Sequence, residues 1–168
     1  MVFVLLRITK SATVYDHAAY AALPSLGDVR NLFISCGTDN TVNGKLKDIL
    51  VKHGLTDKFG LALLDSHAKI QSHECLAHFG NSAIPISIKE TPPSTLFPCT
   101  WKVTNSGVLP FEFYFSAFNA QPALVNQTEL VFVEQIFKVV IDMRMEDLIR
   151  FSLLANKNSG GHLSDVRA

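Results

Sequence analysis

The chain has 168 residues, with 15 basic and 15 acidic side chains and no net formal charge; it is long enough for one domain with a sizeable core. The balance excludes a basic nucleic-acid footprint and a polybasic membrane signal, so neither nucleic acid nor a membrane is expected as a partner. Hydrophobic residues make up 48% of the chain, with Phe present 12 times; this predicts either an aromatic-rich core or apolar surface that meets a small-molecule ligand or a partner such as a second copy.

The opening MVFVLLRITK is apolar but interrupted by Arg7, with no basic segment before it. It reads as a strand or packed arm rather than a signal peptide. Cys36, Cys75 and Cys99 are scattered without paired spacing, the usage of a reduced, cytoplasmic protein rather than a disulfide framework. Nothing approaches the roughly 18 apolar residues of a membrane span.

A helix start is expected at Thr13–Asp16, stopped by Pro24. Ser25-Leu-Gly-Asp28 opens a second helix with Leu26, Val29 and Phe33 on one side. The polar CGTDNTVNG reads as a loop. Leu46, Ile49, Leu50 and His53 then follow at i, i+3, i+4, i+7, closed by Gly54 as a C-cap. His53 is expected near the last carbonyls of that helix.

From Phe59 to Phe118 the period changes to two. In FGLALLDSH, the residues Phe59, Leu61 and Leu63 share a face that Asp65 and His67 continue, so an apolar row ends in an acid and a histidine. SHECLAHFG reads as a returning antiparallel strand, with His73, Cys75, Ala77 and Phe79 on one face and Glu74, Leu76 and His78 on the other. Which row meets His67 depends on register. AIPISIKE alternates, and Pro85 argues for an edge position. TPPSTLFP reads as a loop, CTWKV as a strand with Trp101 in the core, and Asn105-Ser-Gly107 as a turn. LPFEFYFSAF sets Leu109, Phe111, Phe113, Phe115 and Ala117 in one row and Glu112 in the other. Glu112 has two readings: a solvated-face residue of a half-buried strand, or a carboxyl whose pKa is raised among phenylalanines for use as a general acid.

Asn126-Gln-Thr-Glu129 opens a helix whose polar residues Glu134, Gln135, Lys138 and Asp142 form one narrow stripe. Such a helix needs cover on two sides, within the fold or across a homodimer contact. Met143 to Leu154 reads as a further helix, and residues 156–168 as a flexible tail behind a single domain spanning 1–155. The fold class expected is therefore α+β: N-terminal helices, a central antiparallel meander of four to five strands, and C-terminal helices packed on the sheet.

The densest chemistry lies in Lys58–Gly80, which holds His67, His73, His78, Asp65, Glu74 and Cys75. His73-Glu74 followed by His78 is not a zinc-protease signature, because the histidines are five apart rather than four. Asp65-x-His67 followed by Glu74 has the residue types of a strand-borne metal site, but the spacing of a cupin motif is missing. The metal-free reading makes His67 a general acid or base oriented by Asp65 or Glu74. The expected catalytic set is His67, Asp65, Glu74 and Glu112, with no metal and no cofactor, and with His78 contributing much less.

DKFGLALLDSHAKI, Glu74, PCTWKV and VLPFEF together resemble a group of fungal proteins that carry a Leu-Leu-His-Arg-His-Phe box, a later glutamate and a Pro-x-x-Trp … Pro-Tyr-Glu-Phe segment. The box falls on Leu63 to Ala68 and the later elements on Glu74, Pro98, Trp101, Pro110, Phe111, Glu112 and Phe113. Asp65, Ser66 and Ala68 depart from it, so only the box's second histidine survives, as His67; this counts against a metal carried over from the box. The resemblance implies domain boundaries but no activity. Two functions stay open: a small enzyme or ligand-binding protein of specialised metabolism, doing proton-transfer chemistry (isomerisation, cyclisation, dehydration or hydrolysis) in an apolar pocket at His67, or a non-catalytic interaction module.

Overall fold

The structure, a computed structural model, describes residues 15–79, 82–105, 107–116 and 127–154. The N-terminal strand expected at the start of the chain and the expected C-terminal tail lie outside the described residues. Helix α1 (His17–Ala21) is capped by Asp16, whose carboxylate accepts from the backbone N–H groups of Ala18 and Ala19. Helix α2 (Leu26–Ser35) opens at Ser25, whose hydroxyl accepts from the Asp28 N–H and donates to the Asp28 carboxylate. Val29 is buried and Phe33 packs on the core, whereas Leu26, a full turn earlier and past the edge of the packed face, is exposed.

The stretch read as a polar loop is helical from Asp39. Helix α3 (Asp39–Thr41), a π-helical segment (Val42–Leu46) and α4 (Lys47–Lys52) follow one another directly. Val42, Leu46 and Ile49 all pack on the core, at i, i+4 and i+7. That burial outweighs the poor helix propensity of Asn43 and Gly44. His53 caps the end of α4, and Gly54 takes the left-handed φ of 64° that a side chain would resist. The His53 ring does not turn to the helix carbonyls; its Nε2 lies 3.1 Å from Oε1 of Gln135.

Six strands form one sheet in the order β1-β6-β4-β5-β2-β3: β1 (Phe59–Leu63), β2 (Glu74–Phe79), β3 (Ser82–Ser87), β4 (Leu96–Thr104), β5 (Gly107–Phe115) and β6 (Ile149–Leu153). The α+β class is as expected, but the antiparallel meander is not. β1 and β2 do not pair; β1 lies against β6, while β2 runs antiparallel to β3 and parallel to β5. The sheet is mixed. β3, with Pro85, is an edge strand as read from the sequence, and β4 starts at Leu96, inside the segment read as a loop.

The second C-terminal helix is also corrected. After α5 (Gln127–Asp142), Arg144 takes a left-handed φ of 54° and the chain returns as β6. Ile149 and Phe151 are buried on alternate positions with Arg150 and Ser152 between them, a period of two. A short apolar run has no helical or extended identity until something pairs with it; here both β1 and β4 do.

Directly paired residues share a face of the sheet. Phe59, Leu61 and Leu63 stand opposite Leu153, Phe151 and Ile149, and Phe151 stands opposite Trp101. All of these pack with α5 in the main core. Phe132 of α5 lies tilted against Phe59 at 5.3 Å and against Phe151 at 6.2 Å between centroids. Phe132, Val133, Ile136 and Val140 are all buried, so α5 is covered on both apolar sides within the chain. Lys58 ties the start of β1 to Glu129 at the start of α5 at 2.6 Å. The opposite sheet face carries Gly60, Ala62, Ser152, Arg150 and Thr100 by the same pairings. Beside it, Tyr20 and Leu23 pack on Leu64 and Phe111 in a separate cluster.

Candidate functional site

The site is assembled around Glu112 in the middle of β5. Register steps between Pro98 and Thr100 and between Thr100 and Trp101 set Thr100 opposite Glu112, and the Thr100 hydroxyl donates to Oε2 at 3.2 Å. His78 arrives from the neighbouring parallel strand β2, its Nε2 2.8 Å from the same Oε2. Arg150 reaches past β4 from β6, and its NH1 donates to Oε1 at 2.6 Å. Nε2 of His67 lies 3.4 Å from Oε1. One buried carboxylate, only 3% exposed, is thus held by residues from four separate segments.

His67 and Asp65 do not continue the strand as the parity argument expected. β1 ends at Leu63, and both residues sit in the irregular segment after it. That segment is pinned from several sides: Leu64 N–H donates to the Leu148 carbonyl, Ser66 N–H to the Pro24 carbonyl, and the Tyr20 hydroxyl to the Ala68 carbonyl. The strand stops there because its backbone bonds are handed to loop carbonyls and no longer to β6. Asp65 is buried, with Oδ2 3.7 Å from Nδ1 of His67, so the two residues meet although the strand expected to carry both ends at Leu63.

Burial pushes the Glu112 carboxyl up, but the hydrogen bond from His78 and the charges of Arg150, His67 and His78 outweigh it and hold the group below its ordinary 4.5. Both readings of Glu112 are thereby corrected. It is not on a solvated face but buried, and its carboxyl is lowered rather than raised because His78, Arg150 and His67 face it. Burial, with the Glu112 charge second, pushes the Tyr20 hydroxyl up to about 12.

Glu74 stands apart. Its carboxylate accepts from the Gln71 N–H at 2.7 Å in the turn before β2. This bond closes a local turn and leaves Glu74 outside the group around Glu112. His78, read as minor, is the tightest imidazole partner of Glu112. Arg150 and Thr100 were missed altogether, Arg150 because its segment was read as a helix. The signal was present in Ile-Arg-Phe-Ser-Leu, which alternates apolar and polar residues. Trp101 is a core residue, as expected.

Among the described residues, no group of three or more His, Cys, Asp or Glu has the geometry to hold a metal ion. Every Glu112 contact named above is with an N–H or O–H donor or an imidazole nitrogen. None of the described helices is long and apolar enough to cross a membrane. No family model, no curated protein and no solved structure matches the chain.

Proposed function

We propose that the chain is a small-molecule enzyme that uses His67 and His78 as the proton-carrying groups of an acid–base site, with Glu112 as their common anionic anchor. The observation that carries this reading is the pair of imidazoles on one buried carboxylate, at 2.8 Å and 3.4 Å, each imidazole about a quarter to a third exposed. An ionised carboxylate behind an imidazole orients it and stabilises the imidazolium formed when it accepts a proton. Two such imidazoles on the two oxygens of one carboxylate suit a reaction in which one group removes a proton and the other returns one. Isomerisation, dehydration, cyclisation or hydrolysis of a small molecule fits that description. His67 and Glu112 come from the two motif segments that resemble the fungal group, which supports relating the chain to it.

The test is a turnover screen against enolisable ketones, β-hydroxy carbonyl compounds and esters, run with wild type, His67→Ala and His78→Ala in parallel. The reading expects a reaction in wild type that both substitutions suppress. A reaction indifferent to both would overturn it. The alternative, a non-catalytic interaction module, draws on the exposed Leu26, Leu32 and Ile34 of α2 and Ile84 of the edge strand β3. Self-association abolished by Ile34→Glu or Ile84→Glu, with no turnover in the screen, would favour it.

A further inference from the structure

We propose that Arg150 is the positioning residue of this site: it holds neutral His67 in the Nε2–H tautomer and yields Nδ1 to Asp65 when the ring takes up a second proton. The proposal rests on the reading of His67 as a proton-carrying group.

The argument is one of donors and acceptors. A guanidinium is always protonated and can only donate. Its NH1 lies 2.6 Å from Oε1 of Glu112 and 3.4 Å from Nδ1 of His67. A donor facing Nδ1 requires a lone pair there, so the proton of the neutral ring belongs on Nε2. Nε2 is the nitrogen that lies 3.4 Å from Oε1 of Glu112, so its proton is on the side of the carboxylate. Oδ2 of Asp65 also lies near Nδ1, at 3.7 Å, and a carboxylate accepts. Nδ1 therefore has both a donor and an acceptor near it. Protonation converts Nδ1 from acceptor to donor, which ends the contact with Arg150 and makes one with Asp65.

The seating of Arg150 supports a positioning role. The side chain directs NH1 at both Glu112 and His67. The other charged or titratable groups around the ring are consistent with the exchange. His78 is taken by Oε2 of Glu112, Tyr114 donates to the Leu153 carbonyl, Tyr20 donates to the Ala68 carbonyl, and Lys102 is paired with Asp147. Asp65 is left as the acceptor on the Nδ1 side.

Long-range ¹H–¹⁵N correlation spectra of histidine-labelled protein, from about pH 9 to about pH 5 across the ordinary histidine range, report the tautomer of each ring directly. Wild type should show His67 as the Nε2–H form at high pH. Arg150→Met should raise the share of the Nδ1–H form, because Nδ1 then faces only Asp65 while Nε2 keeps Glu112. Arg150→Lys, which keeps a donating cation, should restore the wild-type tautomer at least in part. A wild-type Nδ1–H ring, or a tautomer indifferent to Arg150→Met, would overturn the proposal. If the Met variant does not fold, the wild-type tautomer and the Lys variant still decide it. No substrate is needed, so this result and the turnover screen fail independently: an active enzyme with an Nδ1–H ring would sink the positioning role and leave the acid–base reading standing.

Discussion

Nε2 of His78 and Oε2 of Glu112 are 2.8 Å apart on neighbouring parallel strands, in a sheet whose other strand pairs are all antiparallel. The parallel pairing is what brings them together. It sets Leu76 opposite Glu112 and His78 opposite Tyr114, so His78 and Glu112 are diagonal neighbours on one face. The His78 ring also lies edge-on to Tyr114, with centroids 5.8 Å apart.

Replacing Glu112 tests the electrostatics. Glu112→Gln keeps the shape but leaves Arg150 without its counter-charge, and breaking a mostly buried pair of this kind costs about 3 kcal/mol. The sign with pH follows from the lowered carboxyl. A group depressed in the folded state contributes stability that is fully present above its unfolded value, 4.5, and is lost as pH falls through the folded value. Urea denaturation should therefore show the gap between wild type and Glu112→Gln widest at neutral pH and shrinking below about pH 4.5. A gap that grows on acidification would contradict the assignment.

The two histidines should behave alike in catalysis. With the substrate from the turnover screen, His67→Ala and His78→Ala should each lower kcat by about 10²–10⁴, the usual contribution of a general acid or base, while circular dichroism shows the fold kept. Glu74→Gln is the control. It weakens only a turn hydrogen bond, costs about 1 kcal/mol or less, and should leave kcat unchanged. Loss of turnover in Glu74→Gln would return that residue to the site.

Thiol reactivity separates the cysteines. Cys36 is exposed, whereas Cys75 and Cys99 are buried. Burial pushes the Cys75 thiol up to about 12; burial, with the Glu112 charge second, pushes Cys99 up as well. Alkylation at neutral pH should modify one thiol quickly and the other two only on unfolding, because the thiolate is the reacting species. Mass spectrometry showing rapid modification at Cys75 or Cys99 would disagree with this packing.

The aromatic centre of the core sets stability. Phe132 is fully buried against Phe59, Phe151 and His53, so Phe132→Ala should cost about 3–5 kcal/mol. Val131 is next to it on the same helix but 48% exposed, and Val131→Ala should change stability by about 0.5 kcal/mol or less. Equal effects at the two positions in chemical denaturation would mean that α5 packs differently.

Much of the local structure was legible in the residues alone. Ser25 starts its helix with its hydroxyl cap, and Gly54 follows the end of its helix with the left-handed φ that glycine takes freely. The period-two rows of β2, β3 and β5 and the single polar stripe of α5 identify those elements because a side chain's direction depends only on its own backbone. His67, Asp65 and Glu112 stood out as polar groups next to apolar rows, and all three are in the site. What the chain could not disclose locally is which strand lies beside which. Pairing is a property of two segments far apart in sequence, and a period-two row is compatible with several neighbours. The parallel placement of β2 against β5 turned His78 from a bystander into the tightest imidazole partner of Glu112. The recruitment of Ile149–Leu153 as β6, paired on both sides by β1 and β4, made a strand of a segment short enough to read as helix and delivered Arg150. The ionisation of Glu112 follows from those two pairings, since a carboxyl among phenylalanines is raised by burial until histidine and arginine from other strands are brought against it.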